Sequence, residues 1–426
     1  MVRSIFNKFS HFSGWIIPYN LMLIAFLLSV HLHYSVVCSV ILTGFFVFSG
    51  VWRNIFYNFK VNYIPLLLCL FWILHAISLI YTKNLDRGLF DLQQKLSLLL
   101  FPLVCVSAKE LVITFRKQIL ISFVVGLVLT SLLCFLKAAI NSFSFSPDGL
   151  VFNPIPADAF WENHFWHYRL SFPRHPTYLS MFYSFGLVVL FWLLKGKPSK
   201  KLMVIYYLLV ALFLLMIILL TSRSGILIGA LVLIVGFLWL YFRRTTLLMK
   251  ILFLFVVIVS ISLFAINNTR FSILLKGLGL NENTQIVKDS QLEDKLMGET
   301  LIRLKIWAAI PEVVENSWLF GVGSGDAKEV LLERYKQKGL EYALQNELNA
   351  HNQYLQTLLS LGIVGLIILL AVIVMPVIQS FRERNILPML FLIIIMSNFM
   401  VESVFERIAG VLFVSIFYSL LFSMKK

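Results

Sequence analysis

Residues 202–242 read LMVIYYLLVALFLLMIILL, then TSRSG, then ILIGALVLIVGFLWLYF. Two uninterrupted apolar runs, each close to the roughly 20 residues a helix needs to cross a bilayer, meet at a short polar turn. In hydrocarbon a helix satisfies its own backbone polar groups, whereas an open strand edge or loop does not. The stretch therefore reads as a transmembrane helical hairpin. The same ruler, moved outward, gives spans near 14–31, 34–52, 62–81, 89–107, 118–137, 177–195, 202–220, 224–242, 249–267, 352–378, 386–402 and 404–423.

Composition agrees with a chain dissolved in lipid. Of its 426 residues, 59% are hydrophobic and only 13% are charged, about half the charged share of a soluble domain, and the mean hydropathy is +0.87. The predicted class is all-α: a polytopic membrane protein of about 12 transmembrane helices with a large, mainly helical external loop. Three parts are expected: 1–267 with nine spans and an external segment at 138–176, the loop domain 268–351, and 352–426 with three spans.

The net charge of +15 suggests a nucleic-acid partner until its distribution is read. The largest polar stretch, 268–350, carries ten Lys/Arg against twelve Asp/Glu. The surplus sits in short loops, in seven basic clusters from Arg3 and Lys8 to Lys425 and Lys426. All seven fall on one side if twelve spans are crossed, which the positive-inside rule makes cytoplasmic, with both termini. Lys83 and Arg87 are the counter-example. No nucleic-acid partner is expected. A cleavable signal peptide is not expected either, because the first apolar run is followed by many others. Cys38, Cys69, Cys105 and Cys134 all lie in apolar runs and read as buried hydrophobes.

Within the loop, 299–316 has a helical stripe of Leu301, Leu304 and Ala308. A second helix is predicted to start at Asp326, with Glu329 completing a capping box, and to stop at Gly339.

Polar residues on the external side stand out against this background. Arg223, in Thr221-Ser222-Arg223-Ser224-Gly225, lies at a depth where a guanidinium is costly unless it is paired or faces water. The bland alternative is an interfacial anchor. Arg303 has the planar donor fork that suits phosphate, although a lone exposed Arg on a helix is usually just solvated. His351, at the start of a long apolar helix, has the side chain of a general base near neutral pH. Arg174 and His175 either line the same cavity or cap the sixth span. Glu402 and Arg407 read as a structural ion pair across the last external hairpin. His11, His31, His33 and His75 read as packed or interfacial. Gly321-Val322-Gly323-Ser324-Gly325 lacks the Lys-Ser/Thr of a nucleotide loop, and no metal-ligand spacing is present. Neither ATP nor a metal or other cofactor is therefore expected.

Taken together these residues resemble the O-antigen ligase and polymerase family of bacterial membrane glycosyltransferases. The family's H-N/S/Q-x9-G-x-x-G element is matched by His351, Asn352, Gly362 and Gly365. Its R-x3-W element and the W-x-x-G-x-G that follows are matched by Arg303 and Trp307, then Trp318, Gly321 and Gly323. The Ser222–Gly225 turn and the run Glu402-Ser403-x-x-Glu406-Arg407-x-x-Gly410 are similar to further family elements.

The resemblance implies glycan transfer from undecaprenyl pyrophosphate to an acceptor hydroxyl on the periplasmic face of the inner membrane. Ligases use lipid A-core as acceptor, polymerases another lipid-linked repeat. It implies catalytic roles for Arg223 and Arg303 on the pyrophosphate and for His351 as base, with inversion. Arg174, His175, Asn352, Trp307, Glu402 and Arg407 are the expected substrate-binding set. Protein O-glycosylation and, outside enzymes, polysaccharide or lipid transport are the alternatives. A transporter is expected to show paired halves and broken helices with intramembrane charges.

Overall fold

The computed structural model describes residues 2–55, 58, 63–147, 149–155, 163–171, 174–220, 223–241 and 290–423; the side chains of 2–14, 146, 223–224, 237, 240–241 and 290–301 fall outside the description. The expected ninth span, 249–267, lies outside the described residues.

Among the described residues, six helical stretches are long and apolar enough to cross a membrane: Leu32–Ser49 (α2), Leu85–Ser107, Lys109–Ser142 (α6), Pro176–Lys195 (α8), Lys200–Leu219 (α9) and Gln353–Arg382 (α14). The second of these is two helices, Leu85–Gln94 (α4) and Ser97–Ser107 (α5). Five shorter apolar stretches fall on other expected spans. They belong to α1 (Val2–Val30), α3 (Leu66–Ser78), α10 (Arg223–Tyr241), α15 (Ile386–Phe399) and α16 (Ile408–Phe422). The chain is thus a helical membrane protein. One small departure from all-α is an antiparallel hairpin, Phe143–Ser146 (β1) with Gly149–Phe152 (β2), at the end of α6.

Helix α8 is the buried axis of the bundle, packed by α6, α9, α10 and α15, and α16 is buried along its whole length. A knot of rings (Phe123, Phe182, Phe185, Phe391, Phe413 and Phe417) joins four of these helices, with centroid separations of 4.7–6.2 Å. By contrast α9 turns most of its surface outward (Val204 and Leu208 are 58% and 65% exposed), as a lipid-facing helix does.

Above the bundle, α11 (Ser290–Val314), α12 (Ala327–Gln337) and α13 (Glu341–Gln345) share a second small core of Ile306, Ile310, Val314, Leu331, Tyr335 and Ala343. This corrects the predicted stripe. The helix is present, but Leu304 is exposed and so is Ala308. The face turned inward follows Ile302, Ile306 and Ile310, an equally regular i, i+4 series of bulkier side chains.

The predicted capping box also fails. Asp326 precedes α12, but its carboxylate accepts from the backbone N–H of Lys83 and Asn84, both at 2.8 Å, and Glu329 accepts from the Asn84 side chain. Two tertiary donors from a distant loop outcompete the local pair. That docking puts the Lys83 loop at the same end of the bundle as α12. Gly339 does end α12, at φ 64°, with the Leu340 N–H reaching back to the Tyr335 carbonyl.

The two glycine motifs form one joint. Within α14, Gly362 has φ 63° and ψ −160°, which breaks the helix. The groups freed by the break are taken by 318–323: Val322 and Gly323 donate to Leu359 and Ser360, and Ile363 and Val364 donate to Trp318 and Leu319, at 2.8–3.3 Å. Gly321, at φ 73°, and Gly362 stand back to back; a Cβ on either would meet the other's backbone nitrogen at 2.6 Å. Gly362→Ala therefore combines a forbidden backbone with a clash against main chain. It should destabilise by at least about 3 kcal/mol, read as loss of the thermal transition or of membrane-inserted protein. A stable Gly362→Ala protein would mean that the joint is not built this way.

Candidate active site

His351 sits on the short turn that leads into α14, at φ 45°, a left-handed conformation that His adopts more readily than most residues. The turn is pinned from three directions. Trp307 on α11 donates its indole N–H to the Ala350 carbonyl at 2.8 Å. Asn352 accepts from the Leu355 N–H as the cap of α14, and its side chain donates to the Met400 carbonyl at 3.2 Å. Gln353 accepts from the Phe405 N–H at 2.7 Å. Trp307 and Asn352, both expected to bind substrate, thus spend their polar groups holding the His351 turn against the 400–405 hairpin.

Glu402, on that hairpin, faces His351 Nδ1 at 3.4 Å and is 7% exposed. The expected Glu402–Arg407 pair does not form: among the described residues the carboxylate's ion-pair partner is His351. Burial alone pushes the Glu402 carboxyl up, but the His351 hydrogen bond, with Arg303 and His175 nearby, outweighs it and holds the group below its usual range.

A group whose folded pKa is depressed adds stability above its unfolded value, near 4.3 for Glu, and loses it as pH falls through the folded value. Glu402→Gln should accordingly cost about 1 kcal/mol at neutral pH. The gap in thermal midpoint from wild type should then close as the buffer is acidified through the carboxylate range. A gap that does not change with pH would rule out the charged pair as its source.

Arg174 and His175 precede α8. His175 Nδ1 accepts from the Thr177 N–H at 3.3 Å, capping the helix, while Nε2 meets the Tyr168 hydroxyl at 2.6 Å. Both of its nitrogens are occupied. Desolvation, helped by Arg407, His351 and Arg303 and opposed by Glu402, holds the imidazole below its ordinary value. His351 differs, since its Nε2 has no hydrogen bond among the described residues.

Arg174 is 7% exposed. Its Nε donates to the Ser29 carbonyl at 3.4 Å and its guanidinium lies over Phe182, yet Nη1 and Nη2 have no partner. Burial lowers its pKa to about 10, so it is still a cation at neutral pH.

Arg174, His175, Arg303, His351, Glu402 and Arg407 all line one cavity of about 660 Å³ between the external helices and the ends of the membrane helices. Six of the nine expected site residues, from segments more than two hundred positions apart, thus meet in one place. Arg303 also donates to the Val401 carbonyl at 3.2 Å, tying α11 to the hairpin. The side chain of Arg223 and residues 221–222 lie outside the described residues.

A buried network under the cavity was missed. Lys95 is 1% exposed, pairs with Asp91 one turn earlier, and reaches Glu406 at 3.1 Å. His75, packed as expected, touches the Ser324 hydroxyl at 2.9 Å and approaches Asp91 at 3.6 Å. Asp91 and Lys95, four apart in an otherwise apolar stretch, were the available signal.

The cavity is rich in cations, lies at the end of the helical bundle, and has a carboxylate-oriented imidazole in its wall. The family comparison agrees: a family model described as O-antigen ligase matches residues 208–370, which bears out the resemblance to that family. The matched stretch holds Arg223, Arg303, Trp307 and His351; Arg174, His175, Glu402 and Arg407 lie beyond it. No curated protein matches the chain.

Proposed function

We propose that the chain is an O-antigen ligase, joining a glycan from undecaprenyl pyrophosphate to a lipid A-core hydroxyl at the periplasmic face of the inner membrane. The observation that carries this reading is the buried, half-unpaired guanidinium of Arg174, in one cavity with Arg303, Arg407 and the His351–Glu402 pair. Glu402 holds the proton on His351 Nδ1, leaving the Nε2 lone pair for the acceptor hydroxyl. As that hydroxyl gives up its proton, its oxygen bonds to the anomeric carbon. The carbon–oxygen bond to the pyrophosphate breaks on the opposite face, giving inversion. Arg174, Arg303 and Arg223 stabilise the departing diphosphate where its charge develops. The activated donor supplies the driving force, so the step calls for neither ATP nor a metal.

A repeat-unit polymerase or a protein O-oligosaccharyltransferase would use the same chemistry on another acceptor. Transport keeps some support, because the break at Gly362 and the buried Lys95 cluster are features a transporter carries. Against it, no matching break in a second half is present among the described residues. The surface glycan profile and undecaprenyl-linked pool of a strain lacking the gene separate these readings. Long glycans retained on the lipid carrier with none on lipid A-core make it a ligase. A core capped by a single repeat makes it a polymerase, and an unchanged profile overturns both.

A further inference from the structure

A second cavity, of about 1180 Å³, lies away from the His351 site. Helix α8 begins beside the His351 cavity and ends with Lys195 in the wall of this one. Twenty residues at 1.5 Å each put about 30 Å between them, the thickness of a bilayer core. Helix α14 spans the same interval, ending just before Glu383 and Arg384 in the same wall.

Among the described residues the lining carries four cations, Arg116, Lys117, Lys195 and Arg384, against one carboxylate, Glu383. Two of the cations are held over indole faces. The Arg116 guanidinium is 5.1 Å from the Trp192 centroid, and the Lys195 ammonium is 4.1 Å from that of Trp239. Such stacking orients a cation along the cavity wall. Glu383 accepts from Gln379 at 2.7 Å, which takes up part of the opposing charge.

Most of the remaining described lining is apolar, with Thr114, Tyr206 and Asn385 as the polar exceptions. Ile113 and Leu202 form part of it and are 39% and 44% exposed, and the outward face of α9 continues from Leu202 through Met203 and Val204. A free anion would match the cations and leave that wall wet. A lipid headgroup satisfies both, with phosphate on the cations and acyl chains along α9.

We propose that this cavity binds an anionic phospholipid of the surrounding leaflet, its phosphate held among Arg116, Lys195 and Arg384 and its chains against Ile113 and Leu202. The proposal is independent of the glycan-transfer reading, since none of these residues lines the His351 cavity.

The test uses the full chain in nanodiscs of phosphatidylcholine and phosphatidylglycerol in equal amounts, with native mass spectrometry counting retained lipid. Wild type should retain phosphatidylglycerol in preference to phosphatidylcholine, with millimolar inorganic phosphate failing to displace it. Lys195→Gln combined with Arg384→Gln should cut the preference roughly thirty-fold. Both positions are exposed, so folding should persist, which the thermal midpoint in pure phosphatidylcholine checks. Should that variant misfold, Glu383→Gln is the second probe, and it should raise retention several-fold. Equal retention of the two lipids, an unchanged preference in the variants, or displacement by inorganic phosphate would each overturn the proposal.

Discussion

Replacing His351 by alanine is expected to lower glycan transfer by about 10²–10⁴-fold, the usual worth of a general base, while the protein still inserts and folds. His175, the other imidazole in the cavity, has both nitrogens committed, to Thr177 and Tyr168. His351 has its Nδ1 on Glu402 and its Nε2 uncommitted. Only one of the two can accept a proton without breaking a contact that shapes the site.

The backbone at 351 complicates alanine alone. At φ 45°, Ala costs on the order of 1–2 kcal/mol, so lost activity in that variant does not separate a missing base from a disturbed turn. Asparagine tolerates the left-handed region far better. His351→Asn should therefore lose no more than about 1 kcal/mol of stability, the worth of the Glu402 contact, and still be inactive in an assay with undecaprenyl-pyrophosphate-linked glycan. A His351→Asn protein with full transfer would remove His351 from the chemistry.

What the sequence made legible, and what it hid, divides along one physical line. Spans rest on length and apolarity, which are local, and the described helices fall where those predict. The His351 motif could also be read directly, because a polar residue at the mouth of an apolar helix has few bland explanations. Partnerships could not. Glu402 and Arg407 are five apart and opposite in charge, yet Glu402 turns to His351, fifty-one positions away. Asp326 has a capping partner three residues on and binds the Lys83 loop instead. In each case a donor held in place by the fold displaced a local partner, which competes with water for little net gain. The glycines show the same limit: their spacing is visible, but the joint between Gly321 and Gly362 exists only once 318–323 lies against the broken helix.

Arg174 is where fold and function pull in opposite directions, and Arg174→Met should expose both. A buried cation whose terminal nitrogens lack partners is an uncompensated cost to the empty protein. Methionine has comparable length, keeps a favourable contact with the Phe182 ring, and gives up only the long Nε contact to the Ser29 carbonyl at 3.4 Å. The donor-free variant should thus be more stable than wild type, by about 1–3 kcal/mol, seen as a higher thermal midpoint. Transfer should fall by about 10²–10³-fold, the loss typical when one fixed donor to a developing anion is removed.

A third readout ties these together. Donor at a hundred times its Kd should stabilise wild type by about 2.7 kcal/mol and the variant by much less, so that the order of midpoints reverses when donor is added. A purely structural Arg174 predicts the contrary pattern: the variant melts lower in every condition, and any loss of transfer follows the loss of folded protein. If that pattern appears, the unpaired guanidinium is not reserved for the diphosphate, and Arg303 and Arg407 are left as the described cations that could hold it.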